Sequence, residues 1–259
     1  MSRTKARRSA GPAVPSPRGS GPAEAPVPAG PAARAVTGHR RVAAITGALF
    51  AGLFVVALLL VRQAPGLAVP GSGYAAFYEA GRGTVLVTAG LYVVPFAGIA
   101  FMWHMSAARA LVEALPGPTP DLPRWLQLAS GLVFVCMLFA GTAAVGAVAL
   151  LTVFSSADLP APGVARALTS VGYGLVFVFG VRAAGMFMIT TTTLTRKRGL
   201  MPRWVALLSY LAAGFLLVST TFHPAILLVF PGWVLVFSAC LVLPVRRATA
   251  RTATSKETR

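Results

Sequence analysis

Residues 168–199 read LTSVGYGLVFVFGVRAAGMFMITTTTLTRKRG. From Leu168 to Thr195 the one charged residue is Arg182, and the run stops at Arg196, Lys197 and Arg198. A helix needs ~20 mostly apolar residues to cross a hydrocarbon core, and Lys and Arg gather where such helices meet the cytoplasm. The stretch therefore predicts a membrane-spanning helix with a cytoplasmic C-terminal end. Reading outward, similar runs occur at Val42–Val61, Gly83–Met105, Leu126–Phe154, Val205–Thr221 and Pro224–Val245, six with Leu168–Thr195.

The connections between these runs alternate in charge. Segments 1–41, 106–125, 196–204 and 246–259 carry 8, 2, 4 and 5 Lys and Arg, whereas the other connections hold only Arg62, Arg82 and Arg166. The positive-inside bias then predicts six crossings with both termini cytoplasmic. The expected fold is all-α, a polytopic bundle of six transmembrane helices occupying 42–245. It is flanked by a disordered basic tail, 1–41, and a short basic cytoplasmic tail, 246–259. Residues 1–38 hold seven Pro, five Gly and nine Ala and no aromatic residue, a composition too poor in apolar bulk to offset the entropy of ordering. The apolar run at Val42 begins too late and is too long for a cleaved signal peptide, so it reads as a retained anchor.

Hydrophobic residues make up 56% of the 259 and charged residues 11%, far below the quarter of a soluble domain. The net charge of +17 raises nucleic acid as a partner, but the basic residues sit where topology and anionic lipid headgroups already account for them. The expected partner is the bilayer, contacted through the basic cytoplasmic segments, with no nucleic acid. Cys136 and Cys240 both lie in apolar runs with no CxxC or Cys/His spacing, so no metal and no cofactor is expected. HExxH, GxSxG and Gly-rich phosphate loops are lacking in the sequence, and no catalytic residue is assigned.

Two segments look alike. Residues 122–130 read LPRWLQLAS and residues 201–209 read MPRWVALLS. Pro suits a first helical position, while Arg124, Trp125, Arg203 and Trp204 fit interfacial anchors, the Arg in the headgroups and the Trp at the helix end. The match points to a duplicated two-helix hairpin running parallel, unlike the inverted halves of many transporters. The stretch from Thr190 to Tyr210, with Gly199 and then Pro202-Arg203-Trp204, resembles the fourth-to-fifth span junction of uncharacterised multi-pass membrane proteins of high-GC bacteria. Val229–Leu235 is similar to their last span. The resemblance implies a bacterial plasma-membrane location and no activity.

Arg182 is the main anomaly. A charge so deep costs about 2.5–3.5 kcal/mol on insertion scales, and no Asp or Glu lies in any span to pair with it. Pro95 removes the donor that the Leu91 carbonyl would otherwise meet, and Tyr92 is adjacent. Arg182, Tyr92 and Pro95 therefore form the candidate intramembrane polar site, expected as a clamp between spans four and two, with an anion or lipid-headgroup site as the alternative. Ser170–Gly174 resembles the Thr-Val-Gly-Tyr-Gly filter of potassium channels, yet no room for a pore helix precedes it. Close helix packing is the simpler account of Gly172 and Gly174. Thr190–Thr193 are expected to bond back to carbonyls one turn earlier. The sequence thus points to a non-catalytic membrane protein binding or passing a small solute or lipid. The alternatives are a headgroup-level enzyme, signalled by a cleft joining His104, Glu113 and Asp121, and a channel using Ser170–Gly174.

Overall fold

A computed structural model describes residues 31–117, 121–155, 158–219 and 221–242. These form helices and turns, with no strand among the described residues. In chain order they are α1 (Pro31–Val61), α2 (Gly71–Glu79), α3 (Gly83–Thr88), α4 (Val94–Glu113), α5 (Asp121–Phe154), α6 (Pro162–Tyr173), α7 (Val181–Lys197), α8 (Arg203–Val218) and α9 (Val229–Val242). A π-helical turn, Ala89–Val93, joins α3 to α4, and a second, Gly174–Gly180, joins α6 to α7. A 3-10 turn, Pro224–Leu228, leads into α9.

Five helical stretches are long and apolar enough to cross a membrane: Arg34–Val61, Gly83–Glu113, Asp121–Phe154, Pro162–Lys197 and Pro224–Val242. The remaining apolar helix, α8, has 16 residues, about 24 Å at 1.5 Å per residue against the ~30 Å core of a typical bilayer. The first helix begins at Pro31 rather than Val42, so 31–41 is not the disordered segment expected. The reason is local. Pro31 is preorganised for a first turn and Ala32, Ala33 and Ala35 are strong helix formers, so the helix extends well ahead of the apolar run. The expected disorder of 1–30 and the tail at 246–259 lie outside the described residues.

Helix α1 packs along α4 and α9, α5 packs along α6 and α7, and α7 lies between α5 and α8. At the centre is an aromatic cluster. Phe50 of α1 meets Phe101 of α4 at 5.0 Å between ring centroids, Phe101 meets Phe187 of α7 at 5.1 Å, and Phe134 of α5 meets Phe230 of α9 at 4.7 Å. Most of these pairs are tilted or edge-to-face, the favoured geometry for rings, and they bind five helices into one core.

Where helices touch most closely, glycine permits it. A Cβ at Gly172 would lie 2.5 Å from the Gly141 carbonyl oxygen, and one at Gly141 would lie 3.0 Å from that of Gly172. The α5–α6 crossing is thus backbone against backbone, as small residues allow in membrane bundles. On α5, Ala140 and Ala143 are exposed, while Gly141, Gly146 and Ala149 are buried.

Candidate functional site: a cleft at one end of the bundle

Arg182 is half-buried, and its Nη1 donates to the carbonyl of Val178, 2.9 Å away on its own chain segment. The π turn supplies this acceptor's setting. The Val181 amide bonds back to Val176, five residues earlier, so the carbonyl pattern is displaced from ordinary α-helix register. No hydrogen bond joins Arg182 to Leu91–Pro95 among the described residues, and Tyr92 is 59% exposed. Arg182, Tyr92 and Pro95 are therefore not brought together as a clamp. A π turn ends just before Pro95, its Val94 amide reaching the Ala89 carbonyl.

The clamp exists elsewhere, on Arg198. From beyond the end of α7 its guanidinium donates to the carbonyls of Leu115, at 3.0 Å, Pro116, and Gly117, at 2.8 Å. These oxygens follow α4, where a helix leaves carbonyls without intrahelical partners. Gly117 has φ +115°, a conformation that calls for glycine. In the sequence Arg198 reads as one of three basic residues marking the cytoplasm, and nothing separates it from Arg196 or Lys197.

The four anchor residues sit at the starts of α5 and α8. Trp125 and Trp204 expose most of their surface, and Arg203 is exposed too. Arg124 instead holds Glu113 at 2.7 Å, with Asp121 at 3.6 Å and Arg109 on the same Glu113 oxygen at 3.0 Å. The two related segments occupy matching places. Ser130 and Ser209 are both buried, and each donates to the carbonyl four residues earlier, Leu126 at 2.7 Å and Val205 at 2.8 Å. Both helices flank α7.

The threonine run stitches this end of the bundle. Of Thr190–Thr193, Thr190 and Thr193 bond back to carbonyls one turn earlier as the sequence predicts, whereas Thr191 and Thr192 make no such bond among the described residues; Thr195 also bonds back, to Thr191. Thr191 accepts from Gln127 of α5 at 2.9 Å, and Thr193 meets the Tyr210 hydroxyl of α8 at 2.9 Å. These two bonds tie α7 to α5 and to α8. Ser170–Tyr173 belong to α6, so their carbonyls follow a helix rather than the extended backbone of a filter.

His104, expected at the interface, is fully buried between α1 and α9. Its Nδ1 lies 2.7 Å from the Ala43 carbonyl oxygen. Because a carbonyl only accepts, Nδ1 carries the proton and Nε2 the lone pair. A Cβ at Gly47 would lie 2.6 Å from that Nδ1 and 2.4 Å from Ser238 Oγ. Glu113 and Asp121 meet through Arg124, but His104 does not join them. Among the described residues no group of three His, Cys, Asp or Glu could hold a metal ion.

At the opposite end of the bundle, an apolar cleft of about 90 Å³ opens between α1, α4, α5, α6 and the 3-10 turn before α9. Phe54, Leu58, Leu138, Val176 and Phe177 line it. Its polar residues are Arg62, which is exposed, Tyr173, which is half-buried, and Thr142, whose hydroxyl is spent on Leu138 at 2.7 Å. Among the described residues no acid lines the cleft, and Arg62 makes no ion pair. Sequence reasoning missed this site because Arg62 reads there as a loop residue and Tyr173 as part of a glycine motif. No protein family, curated protein or solved structure matches this chain.

Proposed function

We propose that this chain is a non-catalytic integral membrane protein that binds a lipid or small apolar solute in the cleft beside Arg62. In this reading it lies in a bacterial plasma membrane and crosses six times with both termini cytoplasmic, α8 spanning with Arg203 and Trp204 held in the headgroup layer. The observation that carries the binding role is a concave, almost wholly apolar site with one unpaired cation on its lining. Ligand sites are typically of this kind, apolar walls with a few polar groups that fix orientation. The alternation of basic segments supports the topology, and the bacterial location rests on the likeness of the Thr190–Tyr210 junction.

The test is native mass spectrometry of the full chain released from mild detergent. Wild-type protein should retain a bound lipid or apolar adduct. Leu58→Trp, which fills the cleft from a half-buried position, should lose it while keeping its thermal unfolding midpoint. Equal retention by both proteins refutes the cleft as the binding site.

A further inference from the structure

We infer that the ligand of this cleft is a single-chain fatty acid whose carboxylate meets Arg62, an assignment that rests on the cleft being the binding site. The argument is one of matched charge and shape. Arg62 is the one charged residue lining the cleft among the described residues, and no acid there competes for it. A guanidinium presents paired N–H donors that a carboxylate accepts in a bidentate manner, with a charge-assisted strength that neutral groups lack. Tyr173, half-buried on the same lining, carries a further donor in its hydroxyl, which makes no hydrogen bond among the described residues. The other wall residues are alkyl and aromatic, suited to a hydrocarbon tail and offering nothing to a second polar group.

Size narrows the class. A space of about 90 Å³ is smaller than the engineered 150 Å³ cavity that takes up one benzene, so it encloses only the few carbons of one acyl chain next to the carboxylate, the rest of the chain lying outside it, and has no room for paired chains. One positive charge also balances one carboxylate. A phosphomonoester, with up to two negative charges, exceeds the single charge that Arg62 offers.

The experiment uses cis-parinaric acid, a fluorescent polyene fatty acid, and its methyl ester, with the purified full chain in detergent. Wild-type protein should bind the acid more tightly than the ester. Arg62→Gln should weaken the acid about tenfold, the worth of ~1.4 kcal/mol, while leaving the ester unchanged, and Leu58→Trp should weaken both. If the acid and ester bind alike and Arg62→Gln moves neither, the carboxylate assignment falls while the cleft stands. If Leu58→Trp moves neither, or if no probe binds, the cleft reading falls with it. Displacement of the bound acid by a lysophosphatidic acid at lower concentration than by palmitate overturns the choice of carboxylate over phosphate.

Discussion

Gly172 and Gly174 stand two residues apart and do different work. A side chain at Gly172 would run into the Gly141 backbone oxygen at 2.5 Å, whereas one at Gly174 would meet nothing within 4 Å. Gly172→Ala should therefore force α5 and α6 apart and cost about 1–3 kcal/mol, as overpacking does. Gly174→Ala should leave stability unchanged or raise it by up to about 1 kcal/mol, since glycine is the poorer helix former. Thermal unfolding in detergent checks both, and equal losses would contradict the packing account. The sequence marks both glycines as small, but only the crossing partner distinguishes them, and that partner lies on another helix. Arg182 illustrates the same limit. Its depth is plain from the sequence, but its acceptor depends on a π turn that apolar periodicity does not reveal. Arg198, which ties α7 to the end of α4, is hidden among ordinary topological charges.

At the level of elements, α8 is the helix least like the others. It is shorter and packs chiefly on α7. A bond to α9 adds a second hold: Trp233 Nε1 donates to Ser209 Oγ at 2.9 Å, in a buried setting. Ser209 also donates to Val205, so its hydroxyl is used in both directions. Trp233→Phe and Ser209→Ala should each destabilise the fold, and the double variant should lose less than the sum. The expected coupling is about 0.6 kcal/mol, the average for interhelical hydrogen bonds in membranes, readable from a double-mutant cycle of detergent unfolding. Strict additivity would mean the bond contributes nothing. The likeness of 122–130 to 201–209 shows in the same back-bond from Ser130 and Ser209, although α5 takes Pro123 into its first turn and α8 begins only after Pro202. That Ser209 alone receives an indole follows from Trp233, whose role no local pattern announces.

For the whole molecule, the apolar runs locate five of the helical stretches well, because hydrophobic length is a strong signal. Helix ends are another matter: α1 starts early on helix-forming alanines, and α8 stops at Val218, where the sequence turns to Ser219-Thr220-Thr221, short of the Thr221 end that hydrophobic length suggests. The proposed topology has a direct test. Reporter fusions after residues 115, 200 and 250 should read cytoplasmic, and fusions at 72 and 160 external. Agreement at 200 with an external reading at 250 would make α8 a surface helix and leave five crossings.

The rings of Phe50, Phe101, Phe134, Phe187 and Phe230 occupy the middle of the bundle, and Phe54, one turn from Phe50, already lines the cleft. The cleft is thus a blind recess whose floor is an insulating plug. Oily, close-fitted rings give water no file of hydrogen-bonding sites and give an ion no substitute for its hydration. On the reading proposed above, an occupant of the recess would leave by the way it came, and a cell could carry many copies of such a protein without discharging its membrane potential.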